Sequence, residues 1–306
     1  MCSLISSGTE LKIFKGLFDE AALDVNIKGM VDESMKYPLS YGYSLVGIVT
    51  QCGDGVADTD LIGKLVFTFS PHSTHAIVDR DSLQIIPDGI SPEDAMFMPS
   101  VETALSIVHD ANVRMGEKVA IYGQGLIGLI VNAILSQHQT ALTTGNFGVI
   151  TVFDTLPDRL AMASTMGASQ ALFPGDASDA GPYDVSIEVS GNFRALQSAI
   201  DYTRNGGRII VGSWYGNSDI NLKLGIDFHR SHKTIKTSQV SNIPAELSTL
   251  WSKERRFSLT WELIRVLRPS RLITKRATLD EAQEAYVSLE TGKEIACSFY
   301  YDSNIK

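Results

Sequence analysis

The hydrophobic pattern is sharpest between Lys118 and Asp154. Val119-Ala120-Ile121-Tyr122 is an apolar run of strand length. It meets Gly123-Gln124-Gly125-Leu126-Ile127-Gly128, after which Leu129, Ile130, Ala133 and Ile134 recur at helical spacing. Val149-Ile150-Thr151-Val152-Phe153 is a second apolar run, closed by Asp154. Strands with no polar alternation are buried on both faces, as in a parallel sheet. The alternation continues downstream. Pro157 opens a helix with Leu160, Ala163 and Met166 on one face, stopped at Gly167. Asp184 to Val189 is another buried strand, ending at Ser190-Gly191. A helix through Ala195, Leu196, Ala199 and Ile200 follows, ended by Asn205-Gly206-Gly207, and Arg208 to Gly212 is the next strand, ending at Ser213-Trp214. Strands alternating with helices over residues 112–244 predict an α/β, doubly wound parallel sheet.

The flanks read differently. Residues 1–111 hold short strand-like runs broken by Gly, Pro and Asp, the clearest being Leu45 to Val49, Leu65 to Phe69 and His75 to Val78, with a turn at Gly53-Asp54-Gly55 and little helical periodicity. Ser91-Pro92-Glu93-Asp94 combines an N-cap, a first-turn proline and acids, so a helix starts there, and a second is predicted from Thr103 to Ala111. Residues 245–306 carry a helix through Trp261, Ile264 and Leu267, stopped before Pro269. A capping box at Thr278 and Glu281 then opens a helix ended by Gly292, and Ala296 to Tyr300 forms a last strand. The expected plan is a sheet-and-helix domain at 112–244 inserted into a β-rich domain that 245–306 returns to complete.

Composition narrows the classes. The chain has 306 residues, 44% hydrophobic and 20% charged, which suits one or two globular domains. A net charge of −9 argues against a nucleic-acid surface, which needs concentrated Lys and Arg. Cys2, Cys52 and Cys297 form no CxxC pair, so neither a disulfide framework nor a cysteine-rich zinc lobe is expected, and a reducing, cytoplasmic compartment fits. No apolar run has the length of a membrane span. Met1-Cys2-Ser3-Leu4-Ile5 starts abruptly in strand-like sequence, which leaves organelle targeting open.

The glycine hexad adds chemistry. In a strand–turn–helix unit the first glycine permits the tight turn and the second lets backbone approach a pyrophosphate. The third, Gly128, allows helix and strand to pack, leaving the amides near Leu126 and Ile127 aimed at phosphate. Asp154 stands where an acid accepts the adenosine ribose hydroxyls, although it lies farther from Gly123 than the usual spacing of about 20 residues. The excess falls in the polar run Ser136 to Gly148. A carboxylate at Asp154 favours NAD over the 2′-phosphate of NADP, while Arg159, one helical turn on, offers a charge that admits NADP. The strand tips at Ser190 and at Gly212-Ser213 are expected near the nicotinamide end, since ligands sit beyond the carboxyl ends of parallel strands.

Taken with Ser7-Gly8-Thr9-Glu10, Gly42-Tyr43-Ser44-Leu45-Val46-Gly47 and the return at Leu272 to Thr274, the hexad makes nearly the whole chain resemble the medium-chain dehydrogenase/reductase superfamily, the alcohol dehydrogenase-like proteins. Pro71-His72-Ser73-Thr74-His75, Gly123-Gln124-Gly125, Phe228-His229-Arg230-Ser231 and Arg255-Arg256 look most like the branch that includes bacteriochlorophyllide a dehydrogenase. The resemblance implies a Rossmann domain inserted into a GroES-like catalytic domain. It also implies that this domain is N-terminally shortened, one or two strands normally preceding the position of Met1.

The departures from the family pattern shape the expected chemistry. Ser7 stands where zinc enzymes carry a cysteine, and Tyr43-Ser44 where they carry His-Glu, so no metal is expected. By position Thr9 matches the family's hydroxyl relay, and Tyr43 replaces a ligand. Both are candidate proton donors, the alternatives being a turn bond for Thr9 and ring packing for Tyr43. His72 is a third candidate: with His75 three residues on it suits acid/base work or metal binding, joint ligation needing a turn because odd strand spacing points the two to opposite faces, and the alternative is one packed and one solvated ring. His229-Arg230 with His232-Lys233 reads as an anion-holding cluster or a solvated edge, and Glu102 as a helix-start acid or a cleft residue. Three functions stand open. They are a zinc-independent oxidoreductase moving hydride between NAD and an alcohol/carbonyl pair, an NADPH-dependent quinone or enone reductase, and a non-catalytic nucleotide-binding protein. The expected partner is a small-molecule substrate bound in a cleft between the two domains, and a homodimer is compatible with the sequence.

Overall fold

The computed structural model describes residues 1–18, 36–54, 56, 59–139, 148–225 and 227–301. Gly55 of the predicted turn and residues 140–147 of the polar run after Ser136 lie outside them. In chain order the strands are β1 (Cys2–Leu4), β2 (Leu45–Ile48), β3 (Leu65–Thr68), β4 (Leu83–Ile85), β5 (Val119–Tyr122), β6 (Ile150–Phe153), β7 (Gln170–Leu172), β8 (Tyr183–Glu188), β9 (Thr203–Val211), β10 (Thr234–Thr237), β11 (Ile273–Ala277) and β12 (Ala296–Tyr300). The chain divides into two compact units, residues 1–99 with 254–306, and residues 100–253. The second division falls at Lys253 rather than 244 because the intervening segment packs on the second unit. Trp251 lies 4.3 Å from the His109 ring, and Glu246 pairs with Lys236.

The first unit is a six-stranded sheet in the order β11-β12-β1-β2-β3-β4, antiparallel except for β11 with β12. Cys2 faces Tyr300 across the β1–β12 ladder, so the C-terminal segment completes the sheet that the N-terminal segment begins. Its core gathers Ile5, Leu45, Ala285, Leu289, Cys297 and Phe299 beneath the helix Ala282–Glu290. The capping box at Thr278 and Glu281 forms as expected. Two expectations fail. His75 to Val78 joins no strand, because the ladder beside β3 is taken by β4, with Val66 opposite Ile85; Ile77 stands fully exposed. Thr9, weighed as a turn residue, instead opens the helix Thr9–Phe14. Its N-cap is Gly8 with no side-chain cap, and Glu10 folds back to accept the Ser6 N–H at 2.8 Å.

The second unit is a wholly parallel sheet in the order β10-β9-β8-β5-β6-β7, the doubly wound Rossmann order with its switch point between β5 and β8. Helices Leu126–Gln139, Pro157–Thr165 and Phe193–Tyr202 connect its strands, as the apolar periodicity requires. Tyr122 stacks on Phe153 in the core, ring centroids 4.8 Å apart, and Phe153 meets Tyr183 edge-on at 6.1 Å. One boundary differs. Asn205-Gly206-Gly207 does not end the helix but lies inside β9, which begins at Thr203. The β8–β9 pairing shifts register between Tyr183 and Val185, and a Cβ on Gly207 would meet the Asp184 carbonyl at 2.9 Å, so the glycine fits the close approach at that irregularity. Among the described residues no helix is long and apolar enough to cross a membrane.

Candidate cofactor site and proton-handling residues

The glycine turn is built by contact distances. Gly123 follows β5 at φ +99°, a conformation that favours glycine, and a Cβ there would meet the backbone of Ser190 at 2.7 Å. Gly128 sits in the first turn of the helix Leu126–Gln139, where a Cβ would lie 1.9 Å from the Gly123 carbonyl oxygen. Gly125 is different. Its nearest neighbour across the missing side chain is the Arg159 guanidinium at 3.9 Å, so the position is open. A tight turn, a helix packed on it and an open glycine between them make a cradle that a side chain would fill and a pyrophosphate fits. The first-turn amides around Leu126 and Ile127 precede any intrahelical acceptor.

Asp154 closes the turn from the next strand. It is 8% exposed; one carboxylate oxygen accepts the Gln124 N–H at 2.7 Å and the other the Leu156 N–H at 2.9 Å. Each oxygen keeps a lone pair for a ribose hydroxyl. The residue therefore shapes the turn as well as offering acceptors. Asp154→Ala is expected to weaken binding of both cofactors, NADH more than NADPH, since only NADH loses ribose bonds there. Parallel titrations of the variant and the unaltered protein check this, and a larger loss for NADPH would contradict it.

At the other side of the switch point, β8 ends in Glu188, which is wholly buried. One of its oxygens accepts the Ser190 N–H at 2.7 Å, the Ser190 hydroxyl at 2.6 Å and the Gly191 N–H at 3.0 Å; the other accepts the Tyr215 hydroxyl at 2.7 Å. The Gly191 N–H also reaches Ser213 Oγ at 2.8 Å. The two strand tips named from sequence are thus bonded to each other. Gly212 has a packing reason of its own, a Cβ there meeting Ile107 at 2.7 Å. Glu188 was not singled out from sequence, where its signal is an acid at the carboxyl end of a strand whose Val185 and Ile187 are fully buried.

The first unit holds a second polar cluster. Glu10, 2% exposed, accepts the Ser6 N–H at 2.8 Å, lies 2.8 Å from His72 Nε2 and accepts the Tyr286 hydroxyl at 2.6 Å. His72 Nδ1 lies 2.7 Å from Ser3 Oγ, which in turn meets the Tyr301 hydroxyl. With Nε2–H donating to Glu10, Nδ1 accepts from Ser3. Burial, then the Glu10 charge, pushes the Tyr286 hydroxyl upward, and burial pushes Tyr301 up to about 12, so both stay protonated donors at neutral pH. Serine, imidazole and acid have the connectivity of a nucleophilic triad, but Ser3 is fully buried and already bonded to Tyr301. Tyr43 is half-buried, its ring edge-on to Tyr41 at 6.1 Å. Thr9 is the first residue of the helix Thr9–Phe14 and half-buried. The network brings His72 together with Glu10 and Ser3, neither of which was chosen as a site residue from sequence.

Other candidates separate. His75 is exposed, with Thr74 Oγ1 3.2 Å from its Nδ1. Lys233 is buried and committed to Asp227 and to the Ile200 carbonyl, so the basic run 229–233 contributes a structural tie. Ser44, at a family ligand position, donates its hydroxyl to the Met96 carbonyl. Among the described residues no three His, Cys, Asp or Glu side chains converge as a metal-ligand set.

Comparisons with known proteins agree with this architecture. A family model described as zinc-binding dehydrogenase matches residues 137–254. D-guloside 3-dehydrogenase of Escherichia coli (strain K12) is 31% identical over 261 residues, covering 80% of this chain and 72% of that protein. (R,R)-butanediol dehydrogenase of Bacillus subtilis (strain 168) is 26% identical over 290 residues, covering 81% and 76%. Among solved structures, an alcohol dehydrogenase from Escherichia coli CFT073 complexed with NADH superposes with a TM-score of 0.74 at 16% identity, covering 98% of this chain and 90% of that one. The 2R,3R-butanediol dehydrogenase of Bacillus subtilis gives 0.73 at 20% identity, covering 98% and 90%. The glycine cradle, the Rossmann strand order and these likenesses together place the chain in the medium-chain dehydrogenase/reductase superfamily, as an NAD(P)-dependent, alcohol dehydrogenase-like oxidoreductase.

Proposed function

We propose that this enzyme interconverts a secondary alcohol and its ketone on a polyol- or sugar-type small molecule, using NAD(H) and no catalytic zinc. The observation that carries the reading is the state of the ligand positions. Ser7, Tyr43 and Ser44 stand where zinc ligands would, Ser44 is bonded to a carbonyl, and both nitrogens of His72 are engaged by Ser3 and Glu10. The substrate class rests on the relative named for D-guloside.

A bound nicotinamide supplies the hydride acceptor, or donor in the reverse direction. The chain's own residues do the rest. Gly123, Gly125 and Gly128 with the Leu126 and Ile127 amides hold the diphosphate, Asp154 the ribose, and Arg159 adds positive charge beside Gly125. Ser190, Gly212 and Ser213 form the nicotinamide end. Proton handling falls to Thr9 and Tyr43 as hydroxyl donors and acceptors, with His72, held between Ser3 and Glu10, as the third candidate.

A panel of polyols, sugars and glycosides with NAD+ tests this. Appearance of NADH with a secondary-alcohol substrate is expected. Turnover confined to quinones or enones with NADPH would replace this reading with that of a quinone or enone reductase.

A further inference from the structure

Glu188 has no place in the hydride or proton chemistry, yet its carboxylate accepts four hydrogen bonds. A carboxyl group with no exposure is tolerated only where its oxygens find donors. The four here come from two loops, Ser190 and Gly191 after β8 and Tyr215 after β9. The Tyr215 hydroxyl is driven upward by burial and then by Glu188, so it stays protonated and donates. Ser190 in turn presses on the pyrophosphate turn, its Cα 2.7 Å from where a Cβ on Gly123 would stand. A shift of a few tenths of an ångström at Ser190 is therefore felt at Gly123, and close packing leaves no slack to absorb it.

We infer that Glu188 is the positioning residue of the cofactor cradle, a buried acceptor that sets where the tips at Ser190-Gly191 and Ser213-Tyr215 stand against the Gly123 turn. It touches no cofactor atom itself. It acts through the amides and hydroxyls it orients, and the inference is independent of the substrate, the metal and the proton path.

The test is NADH titration of Glu188→Ala, Glu188→Gln and Tyr215→Phe, with dissociation constant and binding stoichiometry both read. A role in folding alone lowers the stoichiometry, through the fraction folded, and leaves the constant of the folded chains unchanged. Misplaced tips raise the constant at full stoichiometry. For Glu188→Ala the constant is expected to rise on the order of tenfold or more, since several oriented donors are released. Glu188→Gln keeps an oxygen for the 190–191 turn and offers its amide to the Tyr215 oxygen, so it should bind within about threefold of the unaltered protein. Tyr215→Phe removes one donor of four and should raise the constant about threefold with an unchanged circular dichroism spectrum; it carries the test if the alanine variant does not fold. An unchanged constant in Glu188→Ala or Tyr215→Phe overturns the inference, as does a glutamine variant that binds as weakly as the alanine variant.

Discussion

Gly125→Ala is expected to leave the thermal midpoint of the cofactor-free protein unchanged and to weaken NADH binding by at least about 100-fold, close to 3 kcal/mol. The new methyl group meets protein only at the Arg159 guanidinium, 3.9 Å away, so the fold has room for it. The space it takes is where backbone and pyrophosphate must approach. Gly128→Ala separates the two effects. There the methyl would sit 1.9 Å from the Gly123 carbonyl oxygen and 2.9 Å from its carbon, both backbone atoms that cannot swing aside. Alanine improves helix propensity by up to about 1 kcal/mol, but overpacking typically costs about 1–3 kcal/mol, and a clash with backbone belongs at the upper end. The midpoint should fall and NADH binding should be lost with it. Calorimetry and NADH titration of both variants check the pair. Unimpaired binding by Gly125→Ala would mean that the pyrophosphate lies elsewhere.

Tyr43→Phe is expected to lower turnover on an identified substrate by roughly 10²-fold, the usual scale for losing a general acid or base, while cofactor affinity stays the same. The change deletes one hydroxyl and keeps the ring, whose edge-on contact with Tyr41 at 6.1 Å is made by carbon atoms. Structural damage should therefore be slight, and the loss should appear in kcat rather than in the NADH dissociation constant. His72 variants are a poorer probe, because each ring nitrogen holds a buried partner and removing the ring leaves Glu10 short of a donor. Undiminished turnover in Tyr43→Phe would reject the assignment and direct attention to Thr9.

The nucleotide unit was legible in the sequence because its signals are local. The strand Val119–Tyr122 is an unbroken apolar run, the glycine hexad follows it directly into a helix of apolar periodicity, and Asp154 closes the next strand. The first unit was harder to read. Strands such as Cys2–Leu4 and Leu83–Ile85 are three residues long, too short for alternation to declare itself. His75 to Val78 has strand-like residues but no free ladder beside β3, which only the pairing reveals. The helix Thr9–Phe14 is six residues long and starts without a side-chain cap, so no local signal announces it. The polar networks were beyond sequence reasoning for a different reason. Ser3, Glu10, His72, Tyr286 and Tyr301 come from opposite ends of the chain, and Glu188 meets Tyr215 across two strands. No spacing rule joins such residues, and burial alone forces them to find one another.

Metal content and turnover measured on the same purified sample test the central claim most directly. The account predicts far less than one zinc per chain, with alcohol-dependent NADH formation undiminished after chelator treatment. Zinc near one per chain, together with turnover that the chelator abolishes and zinc restores, would contradict it.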